Sequence, residues 1–183
     1  MNFSTKDKHR MAILESAREI VLADPKAKLK AHEVAKRAKI ARTSLYEHFS
    51  SLNELMGELL LTELFNFRMQ VRKELAAQQG LSQSIERWID LNLAYFLDGR
   101  HALVRALMPI AMASDFKDEI RAQHIKLYEE LKISLGENGY ELSPLRFELI
   151  TAVLEVAARR IENSDAPELI KAEAFAFINK ALA

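Results

Sequence analysis

The sequence predicts an all-α fold of about nine helices, and three observations carry that prediction. Apolar side chains recur at helical spacing along nearly the whole chain. Glycine and proline number only 5 and 4 in 183 residues, too few for the many turns of an all-β fold. The breakers that exist fall between apolar-periodic stretches, where helices should stop.

Taken in order, the first helix runs from about Thr5 to Ala23, with Ile13, Leu14, Ala17, Ile20 and Val21 on its apolar face, and Asp24-Pro25 stops it. Two short helices follow, near Ala31–Ala38 and Arg42–Phe49. A long helix is expected from about Asn53 to Gln79, near 40 Å at 1.5 Å per residue, with Gly80 as its C-terminal cap. Ser82 or Ser84 opens the next, through Trp88 to about Leu97, and Asp98-Gly99 is a turn. His101–Met112 is apolar but contains Pro109, which leaves the Arg105 carbonyl without its helical donor and predicts a kink or break. Phe116–Leu135 comes next, ended by Gly136 and Gly139. Ser143-Pro144 caps and starts a helix to about Asn163. Asp165-Ala166-Pro167-Glu168 reads as a capping box for a last helix to about Leu182.

At 20.9 kDa the chain can bury a substantial core. Its 49% hydrophobic and 28% charged residues are the balance of a soluble globular protein. With no cysteine, disulfides, thiolate metal sites and thiol redox chemistry are excluded. No run approaches the ~18 apolar residues of a membrane span, so no membrane partner is expected. The charged MNFSTKDKHR start has no apolar segment behind it, which predicts a cytoplasmic protein. The net charge is zero, yet residues 1–56 carry 11 basic against 7 acidic side chains and the remaining 127 carry 15 against 19. A basic module on an acidic body is the pattern of nucleic-acid binding.

The stretch Ala31–Phe49, AHEVAKRAKIARTSLYEHF, has the pattern of a helix–turn–helix. Val34, Ala38, Ile40 and Leu45 are the apolar positions that seat two short helices on a third, and Ala35 is small where the two cross. Arg42, Thr43 and Ser44 then open a second helix with hydrogen-bonding side chains, the part of such a helix that reaches base edges in the major groove. Arg42 is the best candidate for reading a base, because a guanidinium pairs with the O6 and N7 edges of guanine; a phosphate contact is the alternative. Thr43 and Ser44 suit bases or phosphates. Lys30, Lys36, Lys39 and Arg10 add unspecific attraction to a duplex, while Leu45 and Phe49 are assigned to the core.

Residues 10–60 resemble the DNA-binding region of the TetR family of bacterial transcriptional regulators. The likeness rests on Ile13-Leu14 with Ala17, on Val34-Ala35-x-x-Ala38-x-Ile40, on Thr43-x-Leu45-Tyr46-x-His48-Phe49, and on Asn53-Glu54-Leu55. It implies an N-terminal three-helix DNA-binding domain (1–52) and a larger helical domain for ligand binding and dimerisation (53–183). It also implies that Tyr46 and His48 contact the DNA backbone, Tyr46 through its hydroxyl; packing beside Phe49 is the other reading of His48. The chain departs from the family at Lys39, where glycine usually forms the turn, and at Ala41, where serine or threonine caps the second helix. It departs again at Leu52, where a phosphate-binding lysine is common. A left-handed Lys39 would cost about 1 kcal/mol, and the missing cap up to ~1 kcal/mol.

Further along, Trp88, Asn92, Tyr95 and Phe96 share one helix face, either plain core or the wall of a ligand pocket. Met108 and Met112 beside Pro109 are adaptable wall candidates. Arg121, His124 and Tyr128 share another face, as do His101 and Arg105, and either set suits a polar ligand group or open surface. On the last two helices Leu149, Val153, Val156, Phe175, Phe177 and Ile178 belong to apolar sets wider than one core-facing stripe. Helices apolar on two faces need a second subunit to cover one of them. Catalysis finds no constellation: His32-Glu33 lacks a second histidine at zinc-protease spacing, and there is no Gly-rich phosphate loop or nucleophile elbow. No cofactor and no metal are expected. The expected protein is a homodimeric regulator of a pseudo-palindromic DNA operator, a repressor released by a small apolar or aromatic ligand. A DNA-binding or chromosome-organising protein without a ligand is the runner-up, and a helical enzyme the distant third.

Overall fold

A computed structural model describes residues 4–26, 28–111, 115–161, 164 and 166–182. Among them are nine helices and no strand: α1 (Thr5–Ala23), α2 (Ala31–Arg37), α3 (Arg42–His48), α4 (Leu52–Leu75), α5 (Leu81–Leu97), α6 (Arg100–Ala111), α7 (Lys117–Gly136), α8 (Pro144–Ile161) and α9 (Pro167–Leu182). The chain divides into two compact units, Met1–Leu64 with Ala102–Arg121, and Phe65–His101 with Ala122–Ala183.

In the first unit α1 begins with a capping box not foreseen in the sequence. The Ser4 hydroxyl accepts the Asp7 amide N–H and the Asp7 carboxylate accepts the Ser4 N–H, each at 3.1 Å, satisfying two donors the helix start would otherwise leave bare. The Ser4 hydroxyl, which donates to the Asp7 carboxylate at 2.7 Å, and the Ser4 N–H together hold the Asp7 carboxyl below its ordinary range. Ile13, Ala17 and Val21 are buried, while Leu14 and Ile20 stop half-way. Two ion pairs join α1 to α4: Arg10 to Glu58, and Arg18 to Glu63, whose side chain is almost wholly enclosed. A buried carboxylate is costly unless paired in this way.

The second unit is built around α5, against which α8 and α9 pack. Its fully buried residues include Ile85, Trp88 and Ile89 of α5, Leu131 and Leu135 of α7, Leu154 of α8 and Ile178 of α9. The buried Ser84 hydroxyl meets Ser134 of α7 at 3.2 Å. Ser84 is therefore an interior residue of α5 and not its start, and Ser82 does not start it either. The helix begins at Leu81 with Gly80 as its N-cap, at φ +130°.

The expected C-cap role of Gly80 fails for the same reason. The structure ends α4 at Leu75, where the Gln78 side chain donates to the Glu74 carbonyl at 3.0 Å and the Gln78 N–H to the Leu75 carbonyl at 3.0 Å. These bonds satisfy the carbonyls of Glu74 and Leu75, and the helix ends five residues before Gly80. Pro109 does not end α6, which continues to Ala111. Ser143 caps α8, accepting the Arg146 N–H at 3.3 Å, but Asp165 of the expected second box, like Asn163, lies outside the described residues.

Gly57 shows why α4 needs glycine at one interior position. A β-carbon there would stand 2.3 Å from Cδ2 of Phe116. Alanine is the better helix former by about 1 kcal/mol, so the sign of Gly57→Ala tests this contact. We expect a loss of roughly 1–3 kcal/mol in urea unfolding, because ring and helix must separate. The double variant with Phe116→Ala should recover part of it.

Candidate nucleic-acid interface

The helix–turn–helix is assembled from its apolar residues outward. Val34, Ala35, Leu45 and Phe49 are all at or below 3% exposure, which fixes α2 and α3 on the rest of the first unit. The turn is closed by the Ala38 N–H to the Val34 carbonyl at 2.8 Å and the Ile40 N–H to the Ala35 carbonyl at 3.0 Å. Between them Lys39 takes φ +56°, the left-handed conformation that favours glycine. Ala41 is the N-cap of α3 and supplies no side-chain hydrogen bond.

With Leu45 and Phe49 facing inward, Arg42, Thr43, Tyr46 and Glu47 are exposed and Ser44 is half-buried. The Arg42 guanidinium lies 6.0 Å from the centre of the Tyr46 ring, one turn away on the same face. Cation and phenol are thus presented together on the outer side of a short helix. Glu47 adds a negative charge to that face which the sequence reading did not weigh. Lys36 and Lys39 are exposed, whereas Lys30 pairs with Glu33 at 3.1 Å and Arg37 with Glu19 at 2.8 Å.

His48 is turned partly inward. Its ring meets His9 of α1 edge-on at 6.0 Å, and its Nδ1 is buried. Arg10, read as an unspecific attraction to DNA, is committed to the protein: Nη1 donates to the His48 carbonyl at 2.7 Å and Nε to Glu58 at 3.1 Å. The guanidinium also stacks 4.4 Å from the Phe49 ring centre. No local pattern marks Arg10 for this role, since its partners are 38 and 48 residues away.

The exit from α3 carries a local signal that was not read from the sequence. Ser51-Leu52-Asn53-Glu54 has capping-box spacing, and Ser51 Oγ accepts the Glu54 N–H at 3.1 Å. The Glu54 carboxylate reaches back to the Ser50 hydroxyl and N–H, both at 2.6 Å, and these bonds lower its pKa from the ordinary 4.5.

The other candidates are distributed as follows. Trp88, Asn92 and Tyr95 are buried on α5 and Phe96 is half-buried. Trp88 lies 5.9 Å from Phe147, which also meets Tyr128 edge-on at 5.2 Å; Tyr95 stacks on Phe67 at 4.0 Å and Phe96 meets His101 at 4.2 Å. Asn92 donates to the Trp88 carbonyl at 2.8 Å and Tyr128 to the Leu142 carbonyl at 2.7 Å. His124 is exposed, Met108 belongs to the first unit, and Met112 lies outside the described residues. On α8 and α9, Leu149, Val156 and Phe177 are 57%, 48% and 60% exposed, Val153 and Phe175 are half-buried, and Ile178 is closed into its own unit.

Neither protein-family models nor curated proteins match the sequence. Solved structures do. A TetR family transcription regulator from Marinobacter aquaeolei VT8 aligns with TM-score 0.71 at 18% identity, over 97% of this chain and 96% of that one. The fatty acid degradation regulator FadR from Bacillus halodurans aligns with TM-score 0.72 at 17% identity, over 100% and 97%. The TetR-like transcriptional regulator LfrR from Mycobacterium smegmatis, solved in complex with proflavine, aligns with TM-score 0.67 at 14% identity, over 96% and 98%. The fold is that of the TetR-like regulators. At these identities the likeness is one of fold, and it bears out the all-helical architecture read from residues 10–60 and the helices beyond.

Lys39 gives this TetR-type turn a measurable signature. Replacing Lys39 by Gly removes the left-handed penalty, and we expect a gain of about 1 kcal/mol in global stability. Lys39→Ala should give none of it. Equal stabilities for the two variants in urea would mean that the turn is unstrained.

Proposed function

We propose that this chain is a homodimeric, sequence-specific DNA-binding regulator of the TetR type and not an enzyme, a repressor that works in the cytoplasm. The observation that carries the reading is α3 itself. Its inner residues are buried while Arg42, Thr43 and Tyr46 stand outward on its open face, the arrangement a recognition helix needs in a major groove. Arg42 reads a base edge, Thr43 and Ser44 bond bases or phosphates, and Tyr46 and Lys39 hold the backbone. His48, half-enclosed against His9, serves the interface by orienting the end of α3.

Dimerisation is supported by the faces of α8 and α9. Leu149 and Val156 lie seven residues apart on α8, with Phe177 on α9, all largely exposed in the single chain. Large apolar side chains clustered on an exposed face favour a covering partner. A second copy supplies one with two-fold symmetry, which matches a pseudo-palindromic operator. DNA selection followed by titration tests both parts together. We expect an inverted repeat, a log–log salt slope of magnitude about 5 or more, and a loss of ~1–3 kcal/mol with relaxed specificity at one position for Arg42→Ala. Leu149→Asp and Phe177→Asp, both at exposed positions, should give folded monomers with much weaker operator binding. Selected sequences without a repeat, or dimers persisting in both variants at micromolar concentration, would count against the reading.

Release by a small apolar or aromatic ligand is supported by the interior of the second unit. The Trp88 indole N–H is buried without an acceptor among the described residues, within a cluster of aromatic rings. An unsatisfied buried donor costs ~1–3 kcal/mol, which a ligand carrying one acceptor recovers. The helix α4 contributes residues to both units without interruption, so a ligand preferring one of its positions biases the recognition helices. The expected coupling is ~1–3 kcal/mol, and operator DNA must weaken ligand binding by the same factor. Trp88 is the only tryptophan, so its fluorescence reports on occupancy. Compounds that shift Trp88 emission and leave operator affinity unchanged would defeat the coupling.

A further inference from the structure

The first unit contains a groove that the DNA-binding reading does not use. It has a volume of about 450 Å³ and opens to solvent beside the connection between α1 and α2. Its walls are apolar, formed by Leu29 on that connection, Leu52 and Met56 at the start of α4, and Ile110 at the end of α6. Two lysines, Lys26 and Lys28, are also among the residues that line it. Both lysines are exposed, and neither is in an ion pair among the described residues.

The groove lies within the range of volumes that small molecules occupy. A fully apolar occupant would leave the two cations unused, and a purely ionic one would leave the hydrophobic walls wet. The geometry points to a binding site for a monocarboxylate with a compact or linear apolar body of about a dozen heavy atoms. The carboxylate meets Lys26 and Lys28, and the body lies along Leu29, Leu52, Met56 and Ile110. A charge-assisted contact to two ammonium groups fixes the orientation, and burial of the apolar body supplies affinity.

The position of the groove gives the site a consequence. Leu29 stands just before α2, and Leu52 and Met56 stand just after α3. An occupant therefore touches the chain at both ends of the helix–turn–helix, and it does so without any part of the second unit. Any effect on operator affinity rests on the function proposed above, whereas binding itself does not. A titration of the free protein thus separates failure of the site from failure of the DNA-binding reading.

The probe is decanoate, with 1-decanol as its uncharged counterpart, followed by calorimetry and by methyl NMR of methionine and isoleucine. Decanoate is expected to saturate one site per chain and to shift the Met56 and Ile110 methyl signals. The double variant Lys26→Gln/Lys28→Gln should weaken decanoate by about ten-fold and leave decanol unchanged. Ala106→Phe, at a half-buried wall position, should block both probes, and unaltered thermal transitions of this variant and of the lysine variant guard against a folding artefact. Three results would overturn the site: no saturable binding, methyl shifts confined to residues away from the groove, or equal affinity for decanoate and decanol. So would a lysine double variant that binds decanoate normally and loses only operator affinity, because the two cations would then serve the DNA backbone.

Discussion

The pose of α3 depends on Arg10. A seven-residue helix cannot hold itself together in water, since nucleation is unfavourable and few intrahelical bonds follow it. This one also starts from an uncapped Ala41 after a left-handed Lys39. Its stability must come from tertiary anchors: the buried Leu45 and Phe49, and Arg10 at its C-terminal end. Arg10 donates to the His48 carbonyl, pairs with Glu58 of α4 and covers the Phe49 ring. A bond to a charged donor contributes ~1.5–3 kcal/mol when enclosed, and less here because the guanidinium is about a third exposed. Its value is geometric: one rigid fork joins α1, the end of α3 and the first turns of α4.

What could be read from the sequence follows from how local each cause is. The order of all nine helices was legible because periodic apolar residues and breakers act within a few positions of themselves. The two short helices came through for the same reason, whereas the strained turn at Lys39 was expected only from the family resemblance. The errors arose where a side chain some residues away did the work. Gln78 closed α4 before Gly80 was reached, and Ser84, which looks like a start signal, was drawn into the interior by Ser134, 50 residues on. Arg10 belongs to the same class. Its charge suggested the surface, and partners 38 and 48 residues away turned it inward.

The aromatic face of α5 shows how a single sequence pattern divides on folding. Asn92 finds its acceptor one turn back on its own helix, so its amide makes no demand on a ligand. Tyr128 is similarly satisfied by a backbone carbonyl. Trp88, on the same face as Asn92, has no such local solution because an indole N–H cannot reach back to its own helix carbonyl. Spacing alone placed these residues together, and only hydrogen-bond accounting separates the satisfied amide from the unsatisfied indole.

The same accounting explains why lysine can persist at the turn. Glycine at position 39 would be the lower-energy backbone choice by about 1 kcal/mol. Leu52 lines an apolar groove, Arg10 is turned inward and Lys30 is paired with Glu33. Within the helix–turn–helix itself, Lys36, Lys39 and Arg42 are exposed with no ion-pair partner among the described residues. Each phosphate a cation neutralises contributes about 0.9 to the salt slope of DNA binding. In the DNA-binding function proposed above, a lysine at position 39 trades a fixed, modest strain for a charge held at the start of α3.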